Sequence, residues 1–327
     1  MLICDKAYIE IKNRYVVPLA QYSVQYRSLK KNNIKEMIVD KFSSVEKKEN
    51  GDILLRFDKD IIYKALLGEI QLFYIRHLMQ KNDVKHICTN IEVSTNWNIV
   101  SFYYNAFFAA SLVLRLGHRG NIFFDTDIKK RFQVLLSQTL GEVVSIESNQ
   151  YYTVIDGRGS DERDRIDDGA RILKLRKSID NTHEIVWKLM NEFIEEMLFL
   201  SREHSDERMV LTSIKRINTI LGSTYPSKMR NKVNYQPLYG IECLEKNIYP
   251  VNRKMSWIDF LLRADVSWDD ENSVISAMYA YSQYIELLCN NLILEYYSMR
   301  GNENGVLKKI NQNRKDKIEI PEVIYKI

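Results

Sequence analysis

The strongest constraint on this chain is one stretch, Trp97 to Gly117, which reads WNIVSFYYNAFFAASLVLRLG. Its composition leaves two options: a helix at the centre of a protein core, or a helix across a membrane. Ser94, Thr95 or Asn96 supplies an N-cap, and Gly117 stands as the residue past the end. Val100, Tyr103, Tyr104, Phe107, Ser111 and Leu114 recur at the spacing of one helical face. The polar side is a short stripe of Asn98, Ser101 and Asn105, followed by Arg115. Asn105 and Arg115 interrupt the run and no other segment resembles a span, so the expectation is a core helix with neighbours on several sides and no membrane.

The flanking sequence supplies those neighbours. Ile61, Ile62, Ala65, Leu66, Ile70, Phe73 and Leu78 predict a helix ending near Lys81 to Asp83. Asp125 or Thr126 caps another through Ile128, Phe132, Leu135, Leu136 and Leu140. Helical spacing is read again at Ile172, Leu173 and Leu175, from Ile185 to Leu198, from Asp206 to Ile220, and from Asp269 to about Arg300. Twelve Gly and five Pro in 327 residues suit long helices with few tight turns. The first 57 residues read differently. Alternation over Ala7 to Lys12, Tyr15 to Val17 and Ile53 to Phe57 predicts short strands, with Lys47 to Asp52 as a turn. Another strand-like piece runs up to Ile155 and enters a polar loop around Gly157, Gly159 and Ser160. The expected fold class is mainly α: a small β-containing segment over 1–57, a helical bundle over 58–300 and an exposed tail over 301–327.

Composition excludes several functions. The 47 Lys and Arg against 43 Asp and Glu give a net charge of +4, too even to imply a nucleic-acid partner by itself. Cys4, Cys88, Cys243 and Cys289 are far apart and form no zinc signature or disulfide framework, which points to a reducing cytoplasm. The N-terminal residues carry Asp5 and no long apolar run, so no signal peptide is expected. Gly117 to Gly120 lacks the Gly-Lys-Ser/Thr ending of a phosphate loop, and no histidine pair has metal-ligand spacing. The carboxylates from Asp161 to Asp168 alternate with arginines and read as a solvated loop. No cofactor and no metal is expected. Twenty tyrosines suit helix interfaces and contact surfaces.

A Trp, a Tyr-Tyr pair, an aromatic-Phe-Ala-Ala run and an Arg-Leu-Gly ending together resemble the first core helix of HEPN-type bundles (higher eukaryotes and prokaryotes nucleotide-binding). Many of these sit in prokaryotic toxin and antiphage defence systems. The resemblance implies a signature of Arg, commonly followed by Asn, then His after four to six residues. The Arg would hold phosphate and the His would move a proton, with no metal needed. Arg230 and Asn231 fit the start of that pattern, but Tyr235 stands where the His belongs. A phenol with an ordinary pKa near 10 is a poor base at neutral pH. With Lys228, Lys232 and Asn234, this segment can hold a phosphate. The same residues also suit a plain helix start in which Arg230 meets a carboxylate and Tyr235 packs.

Arg176 and His183, with six residues between them, offer an alternative pair two turns apart if one helix carries both. Asp180, Asn181 and Thr182 form a cap sequence that would break such a helix. The resemblance implies a non-catalytic or degenerate HEPN-like subunit of a defence or toxin system, binding protein and RNA partners as a homodimer or an operon-encoded complex. The alternatives are a metal-independent ribonuclease using Arg230 with Tyr235 or Arg176 with His183, and a purely structural subunit.

Overall fold

The computed structural model describes residues 6–24, 29, 31–40, 42–89, 95–156, 169–236, 238–239, 256–263 and 265–300. The chain opens with α1 (Lys6–Ile11), a π-helical turn (Lys12–Val16), α2 (Val17–Leu19) and α3 (Ile34–Ile38). The hairpin β1 (Ser44–Lys47) and β2 (Ile53–Asp58) leads into two long helices, α4 (Lys59–Thr89) and α5 (Thr95–Leu116). After β3 (Arg119–Phe123), α6 (Thr126–Leu140), β4 (Gln150–Asp156) and β5 (Ala170–Ser178), the described chain is helical. It runs through α7 (Thr182–Leu200), α8 (Asp206–Leu221), α9 (Tyr225–Tyr235), α10 (Trp257–Arg263) and α11 (Glu271–Met299). The fold is thus mainly α with one small antiparallel sheet, ordered β1-β2-β5-β4-β3.

Local chemistry sets these boundaries. The side chains of Asp125, Asn181, Ser205 and Asp270 each accept a backbone N–H from the first turn of the helix they cap. The expected turn over Lys47 to Asp52 and the strand from Ile53 are present, and β2 pairs with β5 far along the chain.

Helix α4 runs on to Thr89 rather than ending near Lys81 to Asp83, and two expected element types fail. The segments Ala7 to Lys12 and Tyr15 to Val17 are helical rather than extended. Their buried residues, Ala7, Tyr8, Ile11 and Val16, suit a helical repeat, whereas Ile9, which alternation would bury, is exposed. Pro18 lacks an amide hydrogen and its ring crowds the carbonyl four residues back, where the π turn lies. The second failure is Ile172, Leu173 and Leu175, which lie in β5 and not in a helix. Leu173 and Leu175 are buried while Lys174 and Arg176 are not, a period of two. The polar loop around Gly157 and the tail from 301 lie outside the described residues.

Helix α5 occupies the centre, packed against α4, α7, α9, α11 and β3. Tyr103, Ala106, Phe107, Leu114 and Leu116 are buried, and Tyr104, expected to be buried too, is only half-buried. It is one described helix long and apolar enough to cross a membrane, and 83% of its apolar window is buried inside the fold. Two of its polar residues, Arg115 and Asn105, are buried and find partners. Arg115 donates from Nε to Glu69 at 3.1 Å and from Nη2 to the Asn121 carbonyl at 3.1 Å, with its guanidinium 4.3 Å from the Phe73 ring. Asn105 donates to Glu286 at 3.2 Å.

Gly68, in the middle of α4, lets the segment before α3 come close: a Cβ there would lie 1.7 Å from the Asn32 carbonyl oxygen. A mid-helix Gly→Ala change ordinarily stabilises by about 1 kcal/mol. Here backbone must move, and overpacking of this kind costs about 1–3 kcal/mol. We expect Gly68→Ala to lower the thermal midpoint. A midpoint that stays put or rises would refute this close approach.

Candidate functional site

Two helix starts bring polar groups onto the aromatic flank of α5. Asn181 caps α7, accepting from the amides of His183 at 3.0 Å and Glu184 at 3.1 Å, and so fixes His183 in the first turn. Helix α9 enters with Pro226 in its first turn and buries Tyr225, Met229 and Val233. Three residues after Ser227, which is also buried, Arg230 is carried toward the same flank.

There the Arg230 guanidinium carbon lies 5.6 Å from the Tyr103 ring centre and 5.9 Å from that of Tyr104, within cation–π range. The His183 ring lies 4.5 Å from Phe107, 5.8 Å from Tyr103 and 5.9 Å from Tyr104. His183 Nδ1 and the Tyr103 hydroxyl are 2.9 Å apart, and Trp187 Nε1 donates to the same hydroxyl at 3.2 Å. Burial, and next the nearby Arg230 charge, pull the His183 pKa down to about 4. Burial likewise pushes the Tyr103 phenol up to about 12, opposed by hydrogen bonds from Trp187 and Ser227 and by the Arg230 charge. At neutral pH the site therefore holds the Arg230 cation, the neutral His183 imidazole and the neutral Tyr103 phenol. Arg230 Nε is buried with no hydrogen-bond partner among the described residues.

The structure separates some expected residues and joins others. Tyr235 is 75% exposed and, five residues on, sits about 140° around α9 from Arg230. Lys228, Asn231 and Asn234 are exposed, Asn234 being one turn beyond Arg230 on its side of the helix. The Lys232 amine sits 4.5 Å from the Trp268 ring and 5.2 Å from Tyr239. Arg176 and His183 do not share a helix: Arg176 is exposed in β5, and the Asn181 cap intervenes. Arg230 and His183 meet instead, across two helices. Sequence reasoning missed the residues that join them, Tyr103, Tyr104, Trp187 and Ser227, as site members. Their one legible signal was the polar tip on residues otherwise spaced for a core.

Two other buried histidines lie elsewhere. His77 is fully buried near Asn105, Lys81 and Glu286, and burial, with Lys81, lowers its pKa to about 4 against the pull of Glu286. Burial opposes the ionisation of Glu286, but the Lys81 charge and the Asn105 hydrogen bond hold its pKa below the ordinary value. His118, at a left-handed φ of 58°, has its Nε2 3.0 Å from the Tyr15 carbonyl, and burial lowers its pKa to about 4. Among the described residues no group of three His, Cys, Asp or Glu is placed to hold a metal. An open depression of about 610 Å³ beside the start of α8, lined by His204, Arg208, Met209 and Leu262 among others, shares no residue with the Arg230 site. Comparison of the chain with family models, with curated proteins and with solved structures finds no match.

The three histidines fix a pH dependence. An unfolded histidine binds a proton near pH 6.5. The folded ones do so only near 4. Their contribution is fully present above about pH 6.5 and is lost as pH falls toward 4, because only the unfolded chain takes up protons in that window. We expect the urea midpoint to fall between pH 7 and pH 5, each fully buried histidine removing about 1–2 kcal/mol. A midpoint that is flat across this range would refute neutral burial of His77 and His118.

Proposed function

We propose that the chain is a HEPN-like subunit of a prokaryotic antiphage defence or toxin system. It acts in the cytoplasm as a homodimer or in a complex with proteins of its operon, and binds RNA phosphate at Arg230 without cleaving it efficiently. One observation carries this reading: Arg230 is seated on Tyr103 and Tyr104 beside a neutral His183. A guanidinium on aromatic faces is held in place and partly desolvated, which strengthens its hold on a phosphate oxygen. Asn234, one turn along, is a further neutral donor for the same chain of phosphates. The resemblance in α5 supplies the family and the class of system.

The weak step is proton transfer. A general acid or base works best with a pKa near the working pH, and His183 at about 4 is far below it. Tyr235 lies on another face of α9 and does not serve Arg230. The second reading, a metal-independent ribonuclease, is favoured by the meeting of Arg230 with His183 in one place. It would use His183 where the family signature implies its histidine.

Both readings are separated by one set of measurements on the purified chain, with and without operon partners. We expect a single-stranded oligoribonucleotide to bind with an affinity that falls as salt rises. Arg230→Ala should weaken binding about tenfold or more, since a charge-assisted hydrogen bond contributes about 1.5–3 kcal/mol. Cleavage should be weak or undetectable. Unchanged affinity in Arg230→Ala would refute the binding site, and robust cleavage abolished by both Arg230→Ala and His183→Ala would establish the ribonuclease instead.

A further inference from the structure

We propose that Tyr103 is a positioning residue that fixes His183 as the Nε2–H tautomer. The site then meets its ligand with two donors, imidazole Nε2–H and guanidinium, and is built to take an anion rather than a proton. Naming that anion a phosphate rests on the reading above; the tautomer rests on the hydrogen bonds alone.

The hydroxyl of Tyr103 has one proton and two lone pairs. An indole N–H can only donate, so Trp187, at 3.2 Å, occupies one lone pair. Ser227 is buried on α9 close to the same oxygen. The third neighbour is His183 Nδ1, at 2.9 Å. Two proton arrangements satisfy this ring of groups. Either the phenol donates to Nδ1 while Ser227 donates to the phenol, or Nδ1–H donates to the phenol while the phenol donates to Ser227.

Acidity decides between them. A hydrogen bond is stronger when the more acidic group donates and the more basic atom accepts. A phenol has a pKa of about 10, and an imidazole nitrogen accepts a proton at about 6.5, far more readily than a phenol oxygen does. The proton therefore stays on Tyr103 and points at Nδ1. With Nδ1 accepting, a neutral His183 carries its own proton on Nε2. Adding a second proton at Nδ1 would break this bond and set two charges side by side, His183 and Arg230.

Long-range proton–nitrogen correlation spectra of the ¹⁵N-labelled full chain at pH 7 read the tautomer directly. The chain has five histidines, and His183→Gln identifies the signal. We expect the wild-type ring to show a protonated Nε2 and an unprotonated, hydrogen-bonded Nδ1, unchanged down to about pH 5. Tyr103→Phe should remove the hydrogen-bond shift at Nδ1 and allow both tautomers. Trp187→Phe, which removes one donor to the phenol and leaves His183 untouched, should keep Nε2–H. A wild-type ring protonated at Nδ1, or at both nitrogens, overturns the proposal even if neither variant folds. A pure Nε2–H tautomer persisting in folded Tyr103→Phe overturns the role of Tyr103. No RNA is present in these spectra, so the binding assay and the tautomer can fail independently.

Discussion

The structure depends on burying α5. A helix with this few polar groups is stable in water only when other elements cover nearly all of it. Four helices and β3 do so here. The difficulty lies in its polar remainder, because a buried charge without a partner is far more costly than one that is paired and hydrogen-bonded. Arg115 is answered by Glu69 on α4, by a carbonyl in β3 and by the face of Phe73. Asn105 is answered by Glu286 on α11, which Lys81 on α4 also pairs. Arg115 and Asn105 thereby specify which neighbours lie beside α5 and at which height.

The same helix connects the core to the candidate site. Tyr103 and Tyr104 are consecutive, so their side chains diverge by about 100°. Tyr103 is buried with its hydroxyl held by Trp187, while Tyr104 is half-buried and edges onto His183. One ring belongs to the core and the other to the rim, and Arg230 spans both. Helix α9 is held for this purpose on both sides. Tyr225, Met229 and Val233 are buried, and Lys232 rests on Trp268, whose indole donates to the Leu221 carbonyl.

What was legible in the sequence follows the range of the forces involved. The long helices were legible because amphipathic spacing and capping residues act within a few residues: Asp125, the span from Asp206, and α5 itself lie where expected. The strands were less so. Six-residue apolar patterns fit either period, and tertiary pairing made Ala7 to Lys12 helical and Ile172 to Leu175 extended. Arg230 was legible as a cation in a polar run, but its partner was not. His183 lies 47 positions away on another helix, and local spacing directed attention to Tyr235 and Arg176 instead. A motif search along the chain sees one helix at a time, whereas this constellation is made by two helices against a third.

That arrangement has a chemical consequence. A group that shuttles protons must have similar stability with and without its proton near the working pH. A group that holds an anion needs a fixed donor and no competing protonation. Packing against Phe107, Tyr103 and Tyr104 removes water from His183, and the adjacent guanidinium adds a like charge to any imidazolium; both disfavour the protonated form. The aromatic wall that stabilises the core thus suppresses acid–base chemistry at its own edge while leaving Arg230 charged. A bound phosphate would weaken that suppression from one side, since its negative charge favours imidazolium. Proton affinity at His183 and anion occupancy at Arg230 are therefore thermodynamically linked, each raising the other by the same factor.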